Sequence, residues 1–191
     1  MHNQIDELSG KPSLVLHVCC APCSSAVIPR LEQYFNLTYV YYNPNIYPET
    51  EYLKRKEQFK KLNVHLVDTE YNHNKFLQTV KGLEQEKEGG ARCRACIAMR
   101  MRYAYEYAKK VGAEYVTTTL SISPHKDAEF INKTGQDLEK EFGIKYLYAD
   151  FKKENGYLQS TKISAERGIY RQNYCGCEFS FQPAKDIEGN N

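Results

Sequence analysis

At 191 residues, with 26% charged and 41% hydrophobic residues, the chain has the composition of a folded globular protein and not of a disordered or fibrous one. Its 26 basic and 24 acidic residues give a net charge of +2, which excludes bulk electrostatic attraction to nucleic acid and leaves that task to local patches. No apolar run approaches the roughly 18 residues of a membrane span, and Met1 to Lys11 lacks the apolar stretch of a signal peptide, so a cytoplasmic protein without a membrane partner is expected.

In chain order, Leu14 to Val18 is a short apolar run that reads as a buried strand ending at Cys19. Ser24 to Phe35 has helical spacing, Leu37 to Tyr42 is a second strand, and Pro44 and Pro48 mark a turn. Glu49 to Leu62 is a charged helix with Tyr52, Phe59 and Leu62 on its apolar side, followed by a third strand at Val64 to Val67 and a short helix at Phe76 to Leu83. Gly89-Gly90 breaks the chain before a helix over Cys93 to Val111, whose apolar face is Ile97, Met101, Ala104 and Ala108 and whose stop is Gly112. The β-branched run in Tyr115 to Leu120 is a strand. Asp127 to Phe142 is a helix closed by Gly143 despite Gly135 within it, Lys145 to Tyr148 a last strand, and Ser160 to Arg167 a helix capped by Ser160 or Thr161. Alternating strands and helices point to an α/β fold with a mostly parallel sheet flanked by helices. One catalytic domain over residues 1–191 is expected, with about 1–12 and 182–191 loose.

The seven cysteines form three tight groups: Cys19-Cys20-x-x-Cys23, Cys93-x-x-Cys96 and Cys175-x-Cys177. An odd number cannot pair completely within one chain, and such short spacings suit thiolates converging on a metal or cluster. Cys93 and Cys96, at positions i and i+3 of a helix start, meet free backbone N–H groups and the positive end of the helix dipole. Cys19, Cys20, Cys93 and Cys96 would complete the ligand set of an iron–sulfur cluster, with a structural zinc as the alternative. Cys175-Gly176-Cys177 can grip a metal, form a strained redox disulfide, or be two incidental thiols. Cys20-Ala-Pro-Cys23 after a strand also has the thioredoxin-like order, although that chemistry has no use for the other cysteines.

Five stretches in order resemble the QueH-type epoxyqueuosine reductases: His17-Val18-Cys19-Cys20-Ala21-Pro22-Cys23-Ser24, Tyr42-Asn43-Pro44-Asn45-Ile46, Gly89-Gly90-Ala91-Arg92-Cys93-Arg94-Ala95-Cys96, Thr118-Thr119-Leu120 with Ser123-Pro124, and Tyr170-Arg171-Gln172-Asn173-Tyr174-Cys175-Gly176-Cys177. The resemblance covers about residues 13–181. It implies cobalamin-independent reduction of epoxyqueuosine to queuosine at the wobble position of tRNA anticodons, on a fold resembling the adenine-nucleotide α-hydrolase type. It also implies a [4Fe–4S] cluster on Cys19, Cys20, Cys93 and Cys96. Cys175 and Cys177 match the family's redox disulfide or the ligands of an adjacent mononuclear iron, whose aspartate ligand is matched to Asp150, with Asp127 as second choice. Cys23 is assigned to either centre or to a nearby thiol outside both. The partners implied are tRNA carrying epoxyqueuosine and an electron donor of unknown identity.

For tRNA, the local cations Arg92, Arg94, Arg171 and Lys152 are the expected contacts, with Tyr47, Tyr170 and Tyr174 as stacking surfaces. The Lys54, Arg55, Lys56, Lys60 and Lys61 cluster reads equally as a solvated helix face.

Overall fold

The structure is a computed structural model and describes residues 1–180; the expected loose segment 182–191 lies outside the described residues. Four strands, β1 (Ser13–His17), β2 (Asn36–Val40), β3 (Tyr115–Thr118) and β4 (Lys145–Tyr146), form a parallel sheet in the order β2-β1-β3-β4. Helices cover both faces. Leu14 and Leu16 of β1 pack with α2 (Ala21–Leu31), α3 (Glu49–Glu57) and α7 (Gly156–Glu166), through Val27, Leu31, Tyr52 and Ile163. Val15 and Val116 pack on the other face against α5 (Ala91–Val111) and α6 (Ala128–Phe142). The apolar stripe of α5 anticipated from its spacing, Ile97, Met101, Ala104 and Ala108, is fully engaged there. Each buried aliphatic side chain contributes about 1.5–3 kcal/mol of hydrophobic stabilisation, and β1, apolar on both faces, is the centre of the molecule.

Helix ends follow local chemistry. Asp127 caps α6 by accepting from the Phe130 N–H at 3.0 Å, and Gly112 and Gly143 take the left-handed conformation that ends α5 and α6. Gly135 has a packing role: a Cβ there would sit 2.4 Å from the Tyr146 ring, and its carbonyl accepts from Tyr105.

Three expectations change. Val64 to Val67 is no strand but a single bridge, Leu66 to Tyr39, because the chain turns away after the Val67 N–H bonds the Tyr39 carbonyl. The helix expected from Ser160 starts at Gly156, and Ser160 bonds back to the Tyr157 carbonyl inside it instead of capping it. The N-terminal residues are not loose. α1 (His2–Asp6) packs Met1 and Ile5 on the core, and the Gln4 amide donates to the Tyr146 carbonyl and accepts from the Tyr148 N–H, both at 2.9 Å. Gln4 thereby occupies hydrogen-bonding groups that β4 would otherwise leave open at the sheet edge. Beyond α3 the chain tightens into a 3-10 turn at Gln58–Leu62, and α4 (His73–Thr79) precedes α5.

Candidate metal centre

The strand order places the chain's change of direction between β1 and β3, since β2 lies to one side of β1 and β3 to the other. At such a switch point the loops beyond the carboxyl ends diverge and leave a crevice. Cys19 sits there, directly after β1. Its N–H donates to Thr119 Oγ1 at 3.0 Å, and the Thr119 hydroxyl lies 3.2 Å from Cys19 Sγ, so the two crossover loops are joined at the thiol itself. Cys20 is the residue before α2, and Cys23 lies in that helix's first turn. The sulfurs of Cys19, Cys20 and Cys23 all lie within 4.8 Å of one another, close enough to hold one metal ion. Hydrogen bonds from Cys20 and Cys23, helped by Thr119 and the charge of Arg100, hold the Cys19 thiol well below its ordinary range despite burial. Donation to Cys19 pushes Cys20 up to about 12 and raises Cys23. The convergence of a third sulfur, Cys19, on the Cys20 and Cys23 pair is what a simple dithiol of the thioredoxin-like kind has no use for.

The three sulfurs open into a cavity of about 420 Å³, also lined by Asn43, Asn45, Arg55, Arg100, Lys126, Arg171, Gln172 and Cys175. A smaller adjoining space of about 40 Å³ is lined by Cys93, Cys96, Cys175, Cys177, Arg100, Lys126 and Asp127. Cys175, Arg100 and Lys126 therefore stand between the two. Burial pushes Cys96 up to about 12 and raises Cys177. The Gly89 N–H points at Cys93 Sγ at 3.2 Å, just before the start of α5.

Cys175-Gly176-Cys177 is held from below. Arg55 Nη1 donates to the Cys175 carbonyl at 3.1 Å while its Nε bonds Glu51 at 2.7 Å, and the Tyr47 N–H bonds the Gly176 carbonyl. Gly176 has φ +123°, and a Cβ would meet Arg55 Nη1 at 2.9 Å, so only glycine fits this turn without strain.

By sequence Arg100 is one of a cluster of cations, with Arg92, Arg94 and Arg102, near the cysteines and expected to meet tRNA, not to face the thiols. It is 3% exposed, donates from Nη1 to Asn45 Oδ1 at 3.0 Å and lies 3.9 Å from Cys96 Sγ. Its Nε and Nη2 have no hydrogen-bond partner among the described residues. Burial works against its charge, but the Cys96, Cys175 and Cys19 sulfurs outweigh that and raise its pKa. Lys126 Nζ lies 3.7 Å from Cys175 Sγ, whose charge raises the ammonium's pKa. His17, next to the thiols, is turned away: its ring nitrogens lie 2.9 Å from Thr118 Oγ1 and 3.1 Å from the Tyr42 carbonyl, and burial, then Arg100, pushes its pKa down to about 3. Soft sulfur donors dominate the site, and buried cations with unused donors face them. That donor set fits a thiolate-bound metal or iron–sulfur cluster.

Several site expectations are rearranged. Cys23 joins Cys19 and Cys20, whereas Cys93 and Cys96 share their space with Cys175 and Cys177. Asp150 lines a separate depression with Arg30 and Asn132, away from every cysteine, and its carboxylate is 3.2 Å from Lys152 Nζ. Asp127, the second choice, is the aspartate that shares a cavity with the thiols. Arg92, expected to meet RNA, is 3% exposed and spent on the Glu84 and Glu86 carbonyls. Lys152 is also turned inward, to the Ser121 and Lys126 carbonyls. Arg94 remains exposed over the Phe130 ring, and Arg171 lines the large cavity beside Tyr157.

The family model described as epoxyqueuosine reductase QueH matches residues 14–183. The chain is 41% identical over 182 residues to the epoxyqueuosine reductase QueH of Streptococcus pyogenes serotype M1, covering 90% of this chain and 71% of that protein. It is 39% identical to the protein of that name from Staphylococcus epidermidis, covering 89% of this chain and 76% of the relative. Against the Thermotoga maritima protein it is 35% identical over 175 residues, covering 88% of this chain and 90% of the relative. The matched span runs from Leu14 in β1 past Cys177 and includes every cysteine. No helix among the described residues is long and apolar enough to cross a membrane.

Proposed function

The chain belongs to the epoxyqueuosine reductase QueH family, and from that membership we propose that it reduces epoxyqueuosine to queuosine at the wobble position of tRNA, without cobalamin and in the cytoplasm. The observation that carries the reading is the trio Cys19, Cys20 and Cys23 at the switch point, opening into a cavity that also receives Cys175. Cys19, Cys20, Cys93 and Cys96 are the proposed ligands of a [4Fe–4S] cluster. Cys175 and Cys177 act as a redox pair or, with Asp127, hold an adjacent iron; Cys23 serves either centre.

Turning an epoxide into an alkene breaks both C–O bonds, forms a C=C bond, consumes two electrons and two protons, and releases the oxygen as water. When bound, the metal centre supplies single electrons and Lewis acidity. The residues of the chain supply the rest. A cavity of about 420 Å³ is of the size that encloses one small ligand, so the modified nucleoside must leave its stack in the anticodon loop to enter. Asn43, Asn45 and Gln172 carry buried side-chain atoms without partners in the described residues, which suits them to orient a polar nucleoside. Lys126, kept protonated beside Cys175, holds a proton at Nζ where the cavities meet. Arg171 and the exposed Tyr157 ring stand at the rim, where phosphates and neighbouring bases pass.

The test is anaerobic purification with iron, sulfide and zinc counted, followed by turnover of epoxyqueuosine-containing tRNA with a reduced viologen donor and nucleoside mass spectrometry. About four or five irons with about four sulfides per chain and formation of queuosine are expected. Zinc without sulfide after anaerobic reconstitution, or a fully loaded protein that leaves epoxyqueuosine intact, would overturn the reading. Full activity in Cys177→Ser would remove the Cys175/Cys177 pair from the electron path.

A further inference from the structure

Arg100 is a buried cation without an anionic oxygen to answer it. It sits on α5 one turn after Cys96, is 3% exposed, and among the described residues no carboxylate is bonded to it. Its one oxygen partner is the neutral amide of Asn45, and Nε and Nη2 stay unbonded. Burying an arginine in this state is strongly unfavourable unless a negative charge compensates it. The neighbours it does have are sulfurs: Cys96 at 3.9 Å, then Cys175 and Cys19. These three belong to three different cysteine groups, and Arg100 lines both cavities. Arg55, equally buried and also with one nitrogen unbonded, differs in being paired with the Glu51 carboxylate and in lining the large cavity alone.

From this geometry we infer that Arg100 is a positioning residue whose fixed charge and unused N–H donors balance the thiolate-bound centre and set its reduction potential. The inference rests on the reading under Proposed function. A thiolate-bound cluster gains one negative charge on reduction. A cation held nearby, unable to lose its proton, stabilises the reduced form more than the oxidised form, and N–H groups directed at sulfur act in the same sense. Asn45 fixes the guanidinium by its one bond, and being neutral it leaves the charge available to the sulfurs.

The experiment is a potentiometric titration of the anaerobically purified full chain, followed by visible absorbance, on wild type, Arg100→Met, Arg100→Lys and Asn45→Asp. Arg100→Met is expected to lower the reduced-to-oxidised ratio at a given applied potential at least tenfold, a shift of about 59 mV for one electron. Arg100→Lys, which keeps the charge, should stay within about threefold of wild type. Asn45→Asp gives Arg100 a carboxylate of nearly the same shape and should shift the potential in the direction of Arg100→Met. An unchanged potential in Arg100→Met with wild-type iron and sulfide overturns the inference. If Arg100→Met does not fold, an unchanged potential in Asn45→Asp overturns it. A wild-type protein that never holds a cluster overturns this inference together with the reading it rests on, and the metal count distinguishes that outcome from the others.

Discussion

The side chain that joins the crossover loops at the thiols is Thr119, which accepts from the Cys19 N–H and donates to its sulfur. Thr119→Val keeps the shape but leaves a buried N–H without a partner, so a loss of about 1–3 kcal/mol in denaturant unfolding is expected, with poorer retention of iron. The two aspartates make a second contrast. Asp127→Asn preserves an α6 cap, because asparagine caps as well as aspartate, yet removes the carboxylate beside Cys93, Cys96 and Cys177. It should lower iron content from about five toward four and cut turnover at least tenfold, while Asp150→Asn should leave both unchanged; metal analysis and initial rates check this. The closeness of Cys19, Cys20 and Cys23 was legible in sequence because short spacing forces thiols together, whereas the sharing of one space by Cys93, Cys96, Cys175 and Cys177 was not. Which aspartate shares a cavity with thiols, Asp127 and not Asp150, was not legible, because it depends on which loop turns toward α5, and that is fixed by long-range packing.

Elements were legible where local signals agreed. The stripe and glycine stop of α5 and the Asp127–Gly143 frame of α6 specify those helices before any tertiary contact is known. Gly135 looked like a weakness in α6 and is where the helix lies against Tyr146 of β4. Gly135→Ala improves helix propensity by about 1 kcal/mol but forces a methyl into that ring, and we expect a net loss of about 1–3 kcal/mol, read as a lower Tm. Where a partner far along the chain decides the outcome, sequence was silent. Val64 to Val67 has strand composition but finds room for one bridge, and the polar start of the chain gave no sign that Gln4 would close the edge of β4.

Across the whole molecule, a net charge of +2 conceals an uneven distribution. Arg55, Arg100, Lys126 and Arg171 line the large cavity against one carboxylate, Glu88, among its described lining residues. Under the proposed function, this local field, and not the total, is what a tRNA phosphate would meet on approach. Arg171→Glu should weaken tRNA binding at least tenfold and reduce the magnitude of the slope of log affinity against log salt by about 1, measured by filter binding across salt concentrations. Arg92→Glu should behave differently, lowering the unfolding midpoint first, because that guanidinium holds the loop before α5 and is shielded from solvent.

The cysteines come from the early, middle and final thirds of the chain, and Thr119 meets Cys19 across 100 positions of sequence. A ribosome therefore adds Cys175 only after 151 further residues have followed Cys23. Cys175, under the grip of Arg55, is the last of the thiols to join the cavity of Cys19, Cys20 and Cys23. On the proposed ligand set, a chain cut short before Tyr170 would carry Cys19, Cys20, Cys93 and Cys96 but lack the turn that holds Cys175 and Cys177. Release of its iron to a mild chelator would mark it as unfinished.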